Sequence, residues 1–175
     1  MADYEPLKNF PQKGVYTLIL HVSKPIRLKV GKLGVCTFKK GYYAYTGSAL
    51  GKTATCLPKR VARHLRRLKK RKRWHIDFLL ANKNVTVVSV VAIQTLEKQE
   101  CLLNQSLKQI VDATIPVKNF GSSDCKRTCE THLLYFGEKN ILPTILAIYK
   151  QKFNSNPFVL TLTAKTTPTQ NATTG

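Results

Sequence analysis

The chain has 175 residues, 43% of them hydrophobic, which suits one compact core with trimmings and leaves too little for two ordinary domains with separate interiors. Lys and Arg number 29 against 9 Asp and Glu, a net charge of +20, so the first expected partner is a polyanion such as DNA or RNA. Neither a secretory apolar stretch at Met1 to Phe10 nor a run of roughly 20 apolar residues is present, so the expectation is a cytoplasmic protein with reduced thiols at Cys36, Cys56, Cys101, Cys125 and Cys129.

In chain order, Gly14 to Val22 is dense in branched and aromatic residues and reads as a core strand. Arg27 to Val30 and Val35 to Phe38 flank Gly31-Lys32-Leu33-Gly34 and read as a hairpin, after which Lys40-Gly41 turns the chain into a strand over Tyr42 to Thr46. Pro58 starts a helix whose apolar residues, Leu57, Val61, Leu65 and Leu68, fall on one side. Trp74 to Ala81 predicts a short second helix. Val85 to Ile93 is the clearest strand in the chain and is expected at the centre of the sheet.

Leu96 to Ala113 places Leu96, Leu103, Leu107, Ile110 and Val111 at helical spacing, with Glu97 and Glu100 in the first turn. Thr114 to Thr131 reads as a long loop, a kind of segment that tends to be functional in compact domains. His132 to Phe136 fits an edge strand, and Leu142-Pro143 opens a last helix to about Phe153. The expected fold is mixed α/β (α+β), a small and largely antiparallel sheet flanked by helices. A single domain spans residues 1–153, with a tail over 154–175.

The charge is not evenly spread. No acidic residue lies between Glu5 and Asp77, whereas Lys59 to Arg73 holds ten basic residues in fifteen positions: Lys59, Arg60, Arg63, Arg66, Arg67, Lys69, Lys70, Arg71, Lys72 and Arg73. A basic block inside the folded part, rather than on a tail, favours a binding site over a coating surface.

Gly14-Val15-Tyr16, then Tyr45-Thr46-Gly47-Ser48, then a helix with Arg60-Val61-Ala62-Arg63-His64, stand in an order that resembles the GIY-YIG nuclease superfamily. Trp74-His75-Ile76-Asp77 and Gly121-Ser122-Ser123-Asp124-Cys125 followed by His132-Leu133 are similar to its Uri endonuclease branch. The resemblance covers Gly14 to Phe136. The spacer from Thr17 to Ala44 is longer than the superfamily's usual one, which implies an added hairpin.

What the resemblance implies is a metal-dependent endonuclease with Tyr16, Tyr45, Arg60, His64 and Glu100 as catalytic residues. Tyr16 would help activate a water, which a phenol of ordinary pKa near 10 does only if nearby cations and metal favour its ionised form. Arg60 would hold two phosphoryl oxygens with its planar fork, and Arg63 is a second phosphate contact. Tyr45 and His64 would orient water or phosphate. Glu100 would hold one Mg²⁺ or Mn²⁺ ion, with Glu97 as its competitor and Asp77 and Asp124 as supporting acids.

Arg63, Arg66, Arg67, Lys69, Lys70, Arg71, Lys72, Arg73 and His75 form the expected nucleic-acid contact set. His75 is equally a polar residue at a helix start. Relatives of this kind can be joined to base-excision repair domains, which suggests DNA as substrate and repair as setting; the rival is a module on the same fold that binds nucleic acid without cutting it. Cys125, Cys129 and His132 lie within eight residues, close enough to share a zinc ion. No fourth ligand is evident from sequence, and free thiols or a Cys125 to Cys129 disulfide fit the segment as well.

Overall fold

The computed structural model describes residues 5–66 and 71–163; Arg67, Leu68, Lys69 and Lys70 lie outside the described residues, as does the chain after 163. Strands β1 (Gly14–Val22), β2 (Ile26–Lys29), β3 (Val35–Phe38) and β4 (Gly41–Ala49) come first, followed by helices α1 (Leu57–Leu65) and α2 (His75–Leu80). Then follow β5 (Val85–Gln94), α3 (Glu100–Lys108), β6 (Leu133–Tyr135), α4 (Leu142–Phe153) and β7 (Phe158–Thr161). Five strands form one sheet in the order β6-β4-β1-β5-β7, every neighbouring pair antiparallel, and β2 and β3 form a separate hairpin. The fold is thus the mixed α+β architecture expected, with the added hairpin in the Thr17 to Ala44 spacer.

Both faces of the sheet are covered, which explains why β1 reads as an almost unbroken apolar run rather than an alternation. Tyr16, Leu18 and Leu20 point into a core closed by α1, α2 and the β2-β3 hairpin. Val15 and Ile19 point the other way, into a core with Leu103 and Leu107 of α3 and Ile145 and Tyr149 of α4. The hairpin turns through Gly31 and Gly34, both at positive φ, where a Cβ would be strained. α1 carries Pro in its first turn and buries Leu57, Val61 and His64.

Three expectations are corrected. The central strand is β1, not the strand at Val85 to Ile93: β5 is interior but sits beside it, because β7 adds to its outer side. That strand arises within the expected tail, where Phe158 to Thr161 pairs with Ser89 to Ala92 and so covers an apolar edge that would otherwise be open to pairing. The helix expected from Leu96 to Ala113 is shorter, Glu100–Lys108. Leu96 and Val111 are exposed, and Asp112 at φ 71° ends the segment in the left-handed region. A window of helical spacing does not distinguish a helix from the apolar residues of its two flanking turns.

Candidate functional site

Pairing of β1 with β4 sets Tyr16 opposite Gly47 and Leu18 opposite Tyr45. Because side chains alternate along a strand, Tyr16, Tyr45 and Gly47 share one face of the sheet. The face has room for the Tyr16 ring only because residue 47 has no side chain: a Cβ there would lie 2.8 Å from Tyr16 Oη and 2.9 Å from its Cζ.

α1 crosses this face. Arg60 and His64, four residues apart, lie on one side of the helix. His64 is buried, and its Nε2 is 2.8 Å from Tyr16 Oη. Its ring also meets those of Tyr45 and Trp74, with centroids 6.3 and 5.8 Å away. Arg60 donates from Nη1 to the Ser48 carbonyl at 3.0 Å, and its guanidinium stacks over the Trp74 ring, 5.0 Å from the centroid.

α3 brings the acid from the opposite flank. Glu100 is the first residue of α3, and its Oε2 accepts a hydrogen bond from the Ser48 hydroxyl. Residue 48 therefore touches Arg60 through its carbonyl and Glu100 through its side chain, tying the guanidinium and the carboxylate to one point on β4. Tyr16, Tyr45, Arg60, His64 and Glu100 all line a single cleft of about 680 Å³. Trp74 and Ser48 line it too, with Asp124, Lys126 and Arg127 from the long loop and Lys98 from the turn before α3. Glu97 is exposed, lies before the helix and does not line the cleft, whereas Glu100 does.

The Tyr16 phenol is not held ionised. Burial pushes it well above its ordinary pKa, Tyr45 adds to the shift, and the Arg60 guanidinium offsets only part of it. Burial likewise raises Tyr45. Among the protein's own groups, Arg60 lowers the Tyr16 pKa as a nearby cation should, but by less than burial raises it. The Tyr16 hydroxyl is hydrogen-bonded to His64 and to the Arg60 side chain.

The nucleic-acid contact set divides. Arg63 is turned away from the cleft and grips Asp77 with both Nη atoms, at 2.8 and 2.9 Å, while Nη2 also reaches the Arg71 carbonyl at 2.9 Å. Its guanidinium lies 4.4 Å from the centroid of Trp74, on which Arg60 also stacks. Asp77 is fully buried and also accepts the backbone N–H groups of Arg73 and Trp74. Arg63 is thus the counter-ion of a buried acid and does not line the cleft, and Asp77 supports the Trp74 turn rather than an ion in the cleft.

His75 opens α2 and accepts the Gly121 N–H at Nδ1, 3.0 Å away, anchoring the long loop instead of lining the cleft. Burial lowers its pKa, in keeping with an acceptor nitrogen. Arg66, Arg71, Lys72 and Arg73 are exposed beside the cleft residues of α1 and Trp74, whereas Arg67, Lys69 and Lys70 fall outside the described residues.

A second cluster shares the cleft wall, since Cys101, Cys125 and His132 line it. Cys101, Cys125, Cys129 and His132 each offer a ligand atom, all within 4.8 Å of one another, and together could hold a metal ion. The donor atoms are three sulfurs and one nitrogen, a set for a soft or borderline metal rather than Mg²⁺. Cys101 is the ligand the sequence did not disclose, because it stands on α3, 24 residues before Cys125.

A family model described as "Domain of unknown function DUF123" matches residues 15–154. The chain belongs to the DUF123 family. No curated protein and no solved structure matches it significantly. The match takes in β1 through α4 and thereby both the cleft and the cysteine cluster, so the DUF123 domain is the part of the chain that carries them. Among the described residues, no helix is long and apolar enough to cross a membrane.

Proposed function

We propose that this DUF123 protein is a divalent-metal-dependent endonuclease of GIY-YIG type, acting on DNA in the cytoplasm, with repair as its setting. The observation that carries the reading is convergence. Five residues singled out by resemblance, Tyr16, Tyr45, Arg60, His64 and Glu100, come from β1, β4, α1 and α3 and line one cleft.

Two carboxylates of the cleft suit a hard cation, whereas Cys101, Cys125 and His132 on the same cleft suit a softer one. Glu100 provides a carboxylate, Asp124 lies at the same cleft, and Mg²⁺ commonly takes one or two carboxylates, leaving its other positions to water and phosphate oxygens. When bound, the ion would supply positive charge to the phosphoryl oxygens and to the departing oxygen.

The residues of the chain do the rest. Arg60 donates to the Ser48 carbonyl and to the Tyr16 hydroxyl, and a guanidinium has five N–H groups, so donors remain for two phosphoryl oxygens. Trp74 under its plane and Ser48 at its edge limit its motion, so little order is lost on binding. Tyr16 need not be ionised beforehand. With the His64 proton on Nδ1, Tyr16 donates its proton to Nε2 and its oxygen accepts one from the attacking water, so the proton moves along the 2.8 Å contact and no buried phenolate accumulates. Tyr45, packed edge-on to His64, holds the imidazole in place. Lys98, Lys126 and Arg127 add positive charge at the cleft wall, and the exposed Arg66, Arg71, Lys72 and Arg73 extend it for contact with the nucleic-acid backbone.

The test is nicking of supercoiled plasmid DNA by the purified protein with Mg²⁺ or Mn²⁺ and with neither. Divalent-dependent nicking is expected; binding to DNA and RNA without cutting of any form would leave a binding module in place of the enzyme. Gly47→Ala offers an independent check on geometry. The new methyl group collides with Tyr16, and a displacement of about 1 Å is expected to cost about 100-fold in cleavage rate while DNA affinity changes little.

A further inference from the structure

The cluster beside the cleft has the composition and spacing of a closed metal site. Its four members come from three places: Cys101 from the first turn of α3, Cys125 and Cys129 from the long loop, and His132 from the residue before β6. Cys101 Sγ lies 3.4 Å from Cys125 Sγ and 3.7 Å from His132 Nε2. Around tetrahedral zinc, with Zn–S of about 2.3 Å and Zn–N of about 2.0 Å, ligand atoms stand roughly 3.5 to 3.8 Å apart. A disulfide requires sulfurs about 2.05 Å apart, so Cys101 and Cys125 are placed as co-ligands and not as a bonded pair.

We propose that Cys101, Cys125, Cys129 and His132 bind one Zn²⁺ ion in a tetrahedral, coordinatively saturated site that staples the long loop to α3 and β6. Four protein ligands leave no open position, the arrangement of a structural site. The His132 ring also bonds the Gly121 backbone, the kind of outer contact that fixes a ligating imidazole. Burial suits the role, since Cys101, Cys129 and His132 are buried.

The consequence reaches the cleft directly, because Cys101, Cys125 and His132 also line it. Cys101 follows Glu100 directly, and Asp124, Lys126 and Arg127 lie between or beside the two loop cysteines. Beyond the metal, the loop is tied at one end by His75 to Gly121 and at the other by the Asn104 side chain to the Thr131 carbonyl. Zinc would fix its middle. A hard oxygen-binding ion at Glu100 and a soft sulfur-binding ion at the cluster are chemically distinct, so the two sites select different metals.

Elemental analysis of the full-length protein, purified without chelators, should find about one zinc ion per chain. Refolding with Co²⁺ should give the near-ultraviolet thiolate charge-transfer band and the visible bands of a tetrahedral thiolate site. Cys129→Ser and His132→Ala should lose the metal, and Cys36→Ser, remote from the cluster, should keep it. Hydrogen exchange over residues 121–132 should accelerate when a mercurial displaces the zinc.

Background zinc in the wild type with no cobalt spectrum would overturn the proposal, as would a Cys101 to Cys125 disulfide in mass spectra of freshly purified protein. Because the cobalt spectrum is read on the wild type, a variant that fails to fold does not rescue the idea. None of these readouts depends on cleavage, so they stand or fall apart from the nuclease reading.

Discussion

Tyr16→Phe is expected to bind DNA about as well as the wild type and to cut it 100-fold to 10,000-fold more slowly, roughly the range for loss of a positioned proton-transfer group. The substitution removes one oxygen and keeps the ring, which is packed against Gly47 and buried on the sheet face. The lost hydrogen bond to His64 costs about 1 kcal/mol of stability, too little to unfold the chain. Single-turnover cleavage and fluorescence anisotropy on the same DNA separate the two effects. Arg60→Ala, which removes charge at the phosphoryl oxygens, should fall by about 100-fold to 1,000-fold in the same assay. Near-normal cutting by Tyr16→Phe would end the proton route from water through Tyr16 to His64.

Asp77→Ala should be among the most destabilising single substitutions in the chain. The carboxylate is fully buried and accepts two N–H bonds from Arg63 and the backbone N–H groups of Arg73 and Trp74. Removing it leaves a guanidinium without its counter-ion and two backbone donors without this acceptor. Breaking a buried pair costs about 3 to 5 kcal/mol, a large share of the 5 to 15 kcal/mol that holds an ordinary domain together. Arg63 is 23% exposed, so water recovers part of its charge and the lower end of that range applies. Chemical denaturation should show the loss, and Arg63→Ala/Asp77→Ala should lose less than the two single changes added together. If Asp77→Ala unfolds at the wild-type denaturant midpoint, the Arg63 clamp is not a stabilising element. Trp74 lies beside this pair and under Arg60, so weaker DNA binding is expected to accompany the stability loss.

Most elements are legible from residues alone because their signals are local. Gly14 to Val22 has the branched composition of a strand, and the structure places β1 at those limits. Pro143 and the run to Phe153 delimit α4, closed by Asn154 in the left-handed region. Local signals failed where a partner decides the outcome. Phe158 to Thr161 is a strand because the edge of β5 is there to receive it. Leu96 and Val111 keep helical spacing yet lie in solvent, because the chain leaves the helix on either side of α3.

The site shows the same division. Order along the chain singled out Tyr16, Tyr45, Arg60 and His64, each in a short pattern of fixed residue types, whereas Glu100 was chosen over Glu97 only as the later acid that the resemblance implies. Ser48 was quoted within such a pattern, but its link between Arg60 and Glu100 is a property of β4 packed against two helices. The Arg60 to Arg73 run looked uniform because charge is a property of composition. Arg60 and Arg63 are neighbours on one helix face and both reach Trp74, so which one meets Ser48 and which Asp77 is settled only by tertiary packing.

By itself the sequence determined most of the strands and helices, the strongly positive balance and the residue order that resembles a nuclease family, since these depend on residue type and near neighbours. Tertiary structure alone decided that β1 is central, that Arg63 serves Asp77, that Tyr16 meets His64, and that Cys101 joins Cys125, Cys129 and His132. Each of those depends on groups far apart in the chain meeting where water is excluded, and neither a meeting nor a local dielectric is written in any short window of residues.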